Sequence, residues 1–63
     1  MRNPYKVHYF GVYFYVGDIC IYSLMTYGYD KYEALNKVVQ NDDHRIEIIE
    51  AVNKATRMEV EKI

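Results

Sequence analysis

The chain has 63 residues, of which 51% are hydrophobic, with a formal net charge of −1 and a sequence pI near 6.0. This composition is typical of a globular protein and excludes a disordered chain, a basic nucleic-acid-binding arm and a strongly acidic tail. At this length we expect one domain, residues 1–63, that buries only about 60% of the surface its unfolded chain exposes.

The aromatic residues predict a β-hairpin in the first half of the chain. All eight tyrosines and both phenylalanines lie within residues 5–32. Read with a period of two residues, strands over 5–16 and 19–27 fold back about Gly17-Asp18, a pair typical of tight hairpin turns. Gly11 interrupts the first strand, which leaves open a bulge or a further turn that makes a three-stranded meander.

An uninterrupted register that pairs Val16 with Ile19 divides this hairpin into two faces, because side chains alternate along a strand. The residues on the first face, which we expect to form the core, are Phe10, Val12, Phe14, Val16, Ile19, Ile21, Ser23 and Met25. The residues on the second face are Tyr9, Gly11, Tyr13, Tyr15, Cys20, Tyr22, Leu24 and Thr26.

Helical patterns follow the hairpin. Asp30 with Glu33 three residues later is a capping-box pattern, and it predicts a first helix from Lys31 to about Gln40. Charged residues at spacings of three and four then predict a second helix from about Asp43 to Glu61. They are Glu47, Glu50, Lys54, Arg57 and Glu61.

The expected fold is therefore of the α+β class, in the order β-β-α-α, with both helices on the Phe-lined face of the hairpin. The alternative is β-β-α-β, with or without a further strand, in which the last segment is a hairpin that turns near Asn53-Lys54. Ile46-Glu47-Ile48 favours this alternative, but Ile48-Ile49 breaks the alternation.

The tyrosine-rich second face is the candidate partner-binding site. A contiguous aromatic patch on a small domain usually marks an interface, and tyrosine offers a large, fairly rigid area with one polar tip. The residues that we expect to bind a protein partner are Tyr9, Tyr13, Tyr15, Tyr22 and Leu24. The same face would support a homodimer, which adds burial to a small core, unless the second helix covers it.

Single-stranded nucleic acid is the alternative ligand of these tyrosines. The segment 10–15, Phe-Gly-Val-Tyr-Phe-Tyr, resembles the aromatic strand of RNA-recognition motifs, which implies stacking of bases on the rings. No Lys/Arg-Gly pair precedes the segment, however, and the chain is shorter than that fold. A pI near 6.0 also predicts no cationic groove.

No residue pattern indicates catalysis, a metal site or a cofactor. His8, at the edge of the core face, and His44, in the first turn of the second helix, are isolated and typical of structural or solvated histidines. Cys20 is the only cysteine, which excludes an internal disulfide, and we interpret it as a packed hydrophobic residue. Phosphate-binding loops, catalytic triads and zinc-site spacings are absent from the sequence, so we expect no enzyme activity.

A membrane span is not expected either. The charge-free runs on either side of Asp18, residues 7–17 and 19–29, are each shorter than the roughly 20 residues that a spanning helix needs. We therefore expect a soluble cytoplasmic protein with no membrane partner.

The short chain, with its aromatic hairpin, helices and lack of catalytic motifs, resembles the small inhibitors that bacteriophages encode, such as anti-CRISPR proteins and inhibitors of uracil-DNA glycosylase. The resemblance covers size and layout, and it transfers no functional residue. It implies a non-enzymatic accessory factor that occludes a site on a host enzyme or defence complex in the host cytoplasm. A purely structural homo-oligomer is a further alternative.

Overall fold

The computed structural model describes residues 6–63. Its elements in chain order are β1 (His8–Val16), β2 (Ile19–Gly28), α1 (Lys31–Gln40), α2 (Ile46–Lys54) and β3 (Arg57–Lys62). The strands form one antiparallel sheet in the order β2-β1-β3. The expected α+β class is confirmed, and so are the hairpin and the first helix. The expected strand start at Tyr5 lies outside the described residues.

The turn between β1 and β2 is held in place by a residue from the far end of the chain. Gly17 has a φ of 60°, a left-handed conformation that glycine adopts without steric cost. The Thr56 hydroxyl accepts a hydrogen bond from the Gly17 N–H at 3.1 Å and donates one to the Tyr15 carbonyl at 3.2 Å. The Thr56 N–H also donates to the Tyr15 carbonyl at 2.8 Å, so this turn is tied to the entry of β3.

A β-bulge shifts the register of the hairpin close to its turn. Tyr15 pairs with Cys20 as expected, but the next pair is Phe14 with Tyr22, which leaves Ile21 as the extra residue. Because side chains alternate along a strand, one inserted residue moves every later side chain of β2 to the opposite face. The uninterrupted register expected from the sequence is therefore wrong beyond Cys20.

The hydrophobic core lies between one face of the sheet and the two helices. Phe14 and Val12 of β1 are both 0% exposed. They pack against Val38 of α1 and against Ile48 and Ala51 of α2. The half-buried residues that surround this cluster are Tyr22, Leu24, Leu35, Ala55 and Val60.

The start of α1 follows the expected capping pattern. Asp30 is the N-cap, and its carboxylate accepts a hydrogen bond from the Glu33 N–H at 2.8 Å. The Glu33 carboxylate in turn accepts a hydrogen bond from the Tyr29 N–H at 2.7 Å. This capping box therefore bonds the N–H of the residue before the N-cap rather than that of the N-cap itself. Its two side chains satisfy two backbone N–H groups at the helix start.

Gly28, the last residue of β2, lies so close to the start of α1 that a side chain would clash. A Cβ atom there would lie 2.9 Å from the Ala34 backbone nitrogen. We expect Gly28→Ala to lower the free energy of unfolding by about 1–3 kcal/mol, because relieving this contact shifts the first turn of α1. Urea denaturation measures the loss, and hydrogen exchange at the Ala34 amide, which bonds the Asp30 carbonyl, reports the shift.

Gly17→Ala is the control for this substitution. It costs about 1 kcal/mol through the positive φ, but no atom lies within 4 Å of its Cβ position, so Ala34 exchange should stay unchanged. Equal exchange rates at Ala34 in the wild type and in Gly28→Ala would contradict the steric explanation.

Asn41 builds the connection between the two helices. It ends α1 in the left-handed conformation, with a φ of 51°. Its side-chain amide donates to the Arg45 carbonyl at 3.0 Å and accepts from the Arg45 N–H at 3.0 Å. Its own carbonyl accepts a hydrogen bond from the His44 N–H at 2.8 Å. Asn41 is only 9% exposed, so these bonds satisfy a buried polar side chain.

The segment after this turn differs from the sequence prediction. A single helix over residues 43–61 is wrong, because α2 ends at Lys54 and β3 (Arg57–Lys62) follows. β3 pairs with the second edge of β1, and it satisfies backbone N–H and C=O groups that would otherwise lack partners within the chain. The alternative of a terminal hairpin is right for its second arm, because β3 is a strand, and wrong for its first, because Ile46–Lys54 is α2 and the chain turns after Lys54.

Candidate functional site

The face of the sheet turned away from the helices carries the tyrosine cluster, and we call it the open face. Val12 and Phe14 point into the core, so the alternate residues of β1 point to the other side, together with their cross-strand partners. The open face consists of Tyr9, Gly11, Tyr13, Tyr15, Cys20, Ser23, Met25, Tyr27, Arg57, Glu59, Glu61 and Ile63. The second helix packs on the opposite face and does not cover these residues.

Three of the five residues expected from the sequence lie on this face. Tyr9 is exposed, and Tyr13 and Tyr15 are half-buried. Tyr22 and Leu24 lie on the helix side instead, because the bulge at Ile21 reverses the facing of the rest of β2. Their placement beside the other tyrosines was wrong.

Tyr22 is part of the core boundary. Its ring centroid lies 6.1 Å from that of Phe14. Its hydroxyl accepts a hydrogen bond from the Arg45 guanidinium at 3.2 Å, which places the charged end of Arg45 beside the sheet. Tyr22 therefore links β2 to the N-terminus of α2.

Tyr13 occupies the centre of the open face and folds over a glycine. A Cβ atom on Gly11 would lie 2.7 Å from the Tyr13 hydroxyl oxygen and 3.0 Å from its ring carbons. The ring therefore lies along the strand over the backbone of Gly11, an arrangement that shields a glycine within a sheet. Ser23, Met25 and Ile63 line a shallow depression of about 240 Å³ beside the same ring.

Tyr15 lies beneath an arginine that is already paired. The Arg57 guanidinium lies 4.4 Å from the Tyr15 ring centroid, and its Nε lies 3.0 Å from the Glu59 carboxylate. Desolvation, followed by the nearby Glu59 carboxylate, raises the pKa of Tyr15 above its ordinary value of 10.0, although Arg57 opposes this shift. Tyr15 is therefore a neutral hydroxyl at physiological pH, and the charge of Arg57 is matched by Glu59.

The end of the open face farthest from the hairpin turn carries a pair of aromatic rings. The rings of Tyr9 and Tyr27 meet edge to face with centroids 6.4 Å apart. The Lys37 ammonium, from α1, lies 3.8 Å from the Tyr27 ring centroid, within the range of a cation–π contact. These contacts orient both rings at the end of the sheet near Gly28.

Sequence reasoning missed Met25, Tyr27 and Ile63 as members of the open face. They are 65%, 52% and 68% exposed, respectively, and they extend the aromatic cluster toward both edges of the sheet. Only the true pairing register of β1 with β2, which includes the bulge, could have placed Met25 and Tyr27 on the open face. No residue type near Ile21 marks the bulge.

The residues considered for chemistry lie apart from one another. Cys20 is exposed rather than packed, and its thiol donates to the Tyr22 carbonyl at 3.5 Å. His44 lies in the turn between α1 and α2 with a φ of 54°, not in the first turn of a helix. Within residues 6–63, no group of three or more His, Cys, Asp or Glu side chains is arranged to hold a metal ion.

Comparisons with family models, curated proteins and solved structures find no match to this chain. In the part of the chain that the structure describes, neither helix has the length and apolarity needed to cross a membrane.

Proposed function

We propose that the protein is a non-enzymatic binding protein that docks its open face on another protein. The observation that supports this proposal is the gathering of four tyrosines on the sheet face opposite the helices, of which Tyr9 and Tyr27 are exposed and the two others half-buried. Tyrosine and methionine are enriched at protein interfaces, and rigid, oriented rings lose little conformational entropy on binding. The contacts that orient the rings of Tyr9, Tyr13 and Tyr15 favour such a role.

The charges of this face favour a protein over a nucleic acid. β3 contributes one basic and two acidic side chains, Arg57, Glu59 and Glu61, and the Lys37 ammonium of α1 is engaged on the Tyr27 ring at one end of the face. The single guanidinium is matched by Glu59, so it offers no free charge to a phosphate. Surfaces that bind single strands combine aromatic rings with a cationic groove. A complementary protein partner has an apolar surface with basic residues at its rim.

The proposed mode of action is occlusion. The open face covers a functional surface of an enzyme or defence complex, as the resemblance to phage-encoded inhibitors implies. If this is so, adding the protein to the purified partner should abolish its activity at a one-to-one ratio. Full partner activity in a saturated complex would restrict the function to binding.

Tyr13→Ala is expected to weaken partner binding by about 1–3 kcal/mol, because a central aromatic residue is the usual anchor of an interface. Affinity capture from cell lysate identifies the partner, and calorimetric titration of that purified partner measures the change. Gly11→Ala should weaken the same complex, since the added methyl group displaces the Tyr13 ring without removing it.

Tyr32→Ala is the matched control for Tyr13→Ala. Tyr32 is 73% exposed on α1, away from the open face, so its removal should leave binding unchanged. A partner that is bound equally by folded Tyr13→Ala and the wild type would overturn the proposal. Binding of a single-stranded oligonucleotide that falls steeply with salt would instead establish the nucleic-acid alternative.

A further inference from the structure

The described sheet has two free edges, and their charges differ. In β3, four of the six residues are charged: Arg57, Glu59, Glu61 and Lys62. β2 has no charged residue over its ten positions, Ile19–Gly28. Proteins usually place charges on edge strands because an uncharged edge pairs readily with another strand. β2 itself therefore supplies no such charge, and the Lys37 ammonium of α1 lies over the Tyr27 ring at one end of this edge.

The backbone groups that face outward on β2 follow from the hydrogen-bond pattern. The Ile63 N–H donates to the Tyr9 carbonyl at 2.9 Å, so Tyr9 and every second residue after it bond toward β3. The intervening residues of β1 bond toward β2, which directs the N–H and C=O groups of their partners inward. The outward-facing groups of β2 beyond the bulge are those of Ser23, Met25 and Tyr27.

We propose that a second copy of the chain pairs with β2 in antiparallel orientation, across a two-fold axis at Met25. In this register Met25 lies opposite its equivalent in the second copy, and Ser23 lies opposite Tyr27. Each pair exchanges N–H···O=C bonds in both directions, because all three residues present these groups outward. The two sheets become one continuous sheet.

A second copy fits this edge because a two-fold interface brings a strand against itself. A strand without charges meets no like charge in this arrangement, whereas self-pairing of β3 about Val60 would set Glu59 against Glu61. The pairing also covers apolar surface, since Met25 is 65% exposed and Tyr27 is 52% exposed. A small domain with few fully buried residues gains burial in this way.

This interface does not rest on the function proposed for the open face. The edge pairs through backbone groups, while the open face binds through side chains, and the two-fold axis leaves both open faces on the same side of the joined sheet. Tyr13 lies on the central strand and does not take part in the pairing. Tyr13→Ala should therefore weaken partner binding and leave the dimer intact, whereas Met25 and Tyr27 belong to both surfaces, so the Met25 variants test the dimer by mass alone.

Charge substitution at Met25 tests the proposal by sedimentation equilibrium in the upper micromolar range. The wild type should have twice the 7.6 kDa mass of the chain. Met25→Lys and Met25→Glu should each raise the dissociation constant at least about tenfold, because like charges then lie directly opposite each other. An equimolar mixture of the two variants should re-form the dimer, since opposite charges then face each other.

Tyr32→Lys, an equally drastic change at an exposed tyrosine of α1, should leave the dimer unchanged. Far-UV circular dichroism establishes that each variant is folded. A wild-type mass of 7.6 kDa, or a Met25→Lys dimer as tight as the wild type, would overturn the interface. Two monomeric variants that fail to associate on mixing would overturn the pairing at Met25.

Discussion

Phe14→Ala is expected to remove at least about a third of the free energy of unfolding. Phe14 is 0% exposed on the central strand and packs against residues from both helices. Removing a buried phenylalanine ring costs about 3–5 kcal/mol, the sum of lost transfer free energy and the cavity left behind. A domain of this length has a total stability of only about 3–9 kcal/mol. Circular dichroism and urea denaturation measure the loss.

Val16→Ala is the control on the same strand. Val16 is 39% exposed at the end of β1, so its truncation should lower the free energy of unfolding by less than about 1 kcal/mol. If Phe14→Ala were no less stable than Val16→Ala, the core would not be where the structure places it.

Asn41→Ala should have the second largest effect, a loss of about 3 kcal/mol in the free energy of unfolding. The alanine would have to adopt the left-handed conformation at a cost of about 1–2 kcal/mol. It would also leave the Arg45 N–H and C=O groups without the amide that bonds both. Urea denaturation measures the total, and hydrogen exchange at the Arg45 amide reports the lost contact.

Two further variants separate these contributions. Asn41→Gly keeps the left-handed conformation and removes only the side-chain bonds, so it should be more stable than Asn41→Ala. Asn41→Asp can still accept from the Arg45 N–H, but its carboxylate repels the Arg45 carbonyl. If Asn41→Gly were as unstable as Asn41→Ala, the backbone conformation would contribute nothing.

Local signals made the first half of the fold predictable from the sequence. The hairpin turn at Gly17 depends on a residue that accepts positive φ. The start of α1 depends on the carboxylates of Asp30 and Glu33, which bond backbone groups within four residues. Such contacts are properties of a short segment, so a short segment indicates them.

The structure of the second half of the chain depends on contacts between residues that are far apart in sequence. Residues 57–61 alternate between charged and apolar side chains, but Arg57 and Glu61 also extend the helical charge spacing of α2. Pairing with the free edge of β1 selects the strand, and this pairing joins residues more than forty positions apart. Tertiary hydrogen bonding overrode the helical pattern.

The candidate site was predicted on one strand and not on the other. Alternation on β1 placed Tyr9, Tyr13 and Tyr15 together, and the structure brings them to one face. On β2 the same reasoning failed at one inserted residue, Ile21, which no local sequence signal marks. The effect was large because a shift of one residue exchanges the two faces of a strand.

The central position of β1 also bears on the order in which the chain acquires its structure. β1 and β2 can pair at once, but β3 must close a loop that separates Tyr15 from Thr56 by 41 residues, and such closures are slow. Until then β1, which contains no Asp, Glu, Lys or Arg, is a second uncharged edge beside its buried phenylalanines. Strands in this condition drive aggregation of folding intermediates. Once the charged β3 has paired with β1, this edge is no longer open to pairing with other chains.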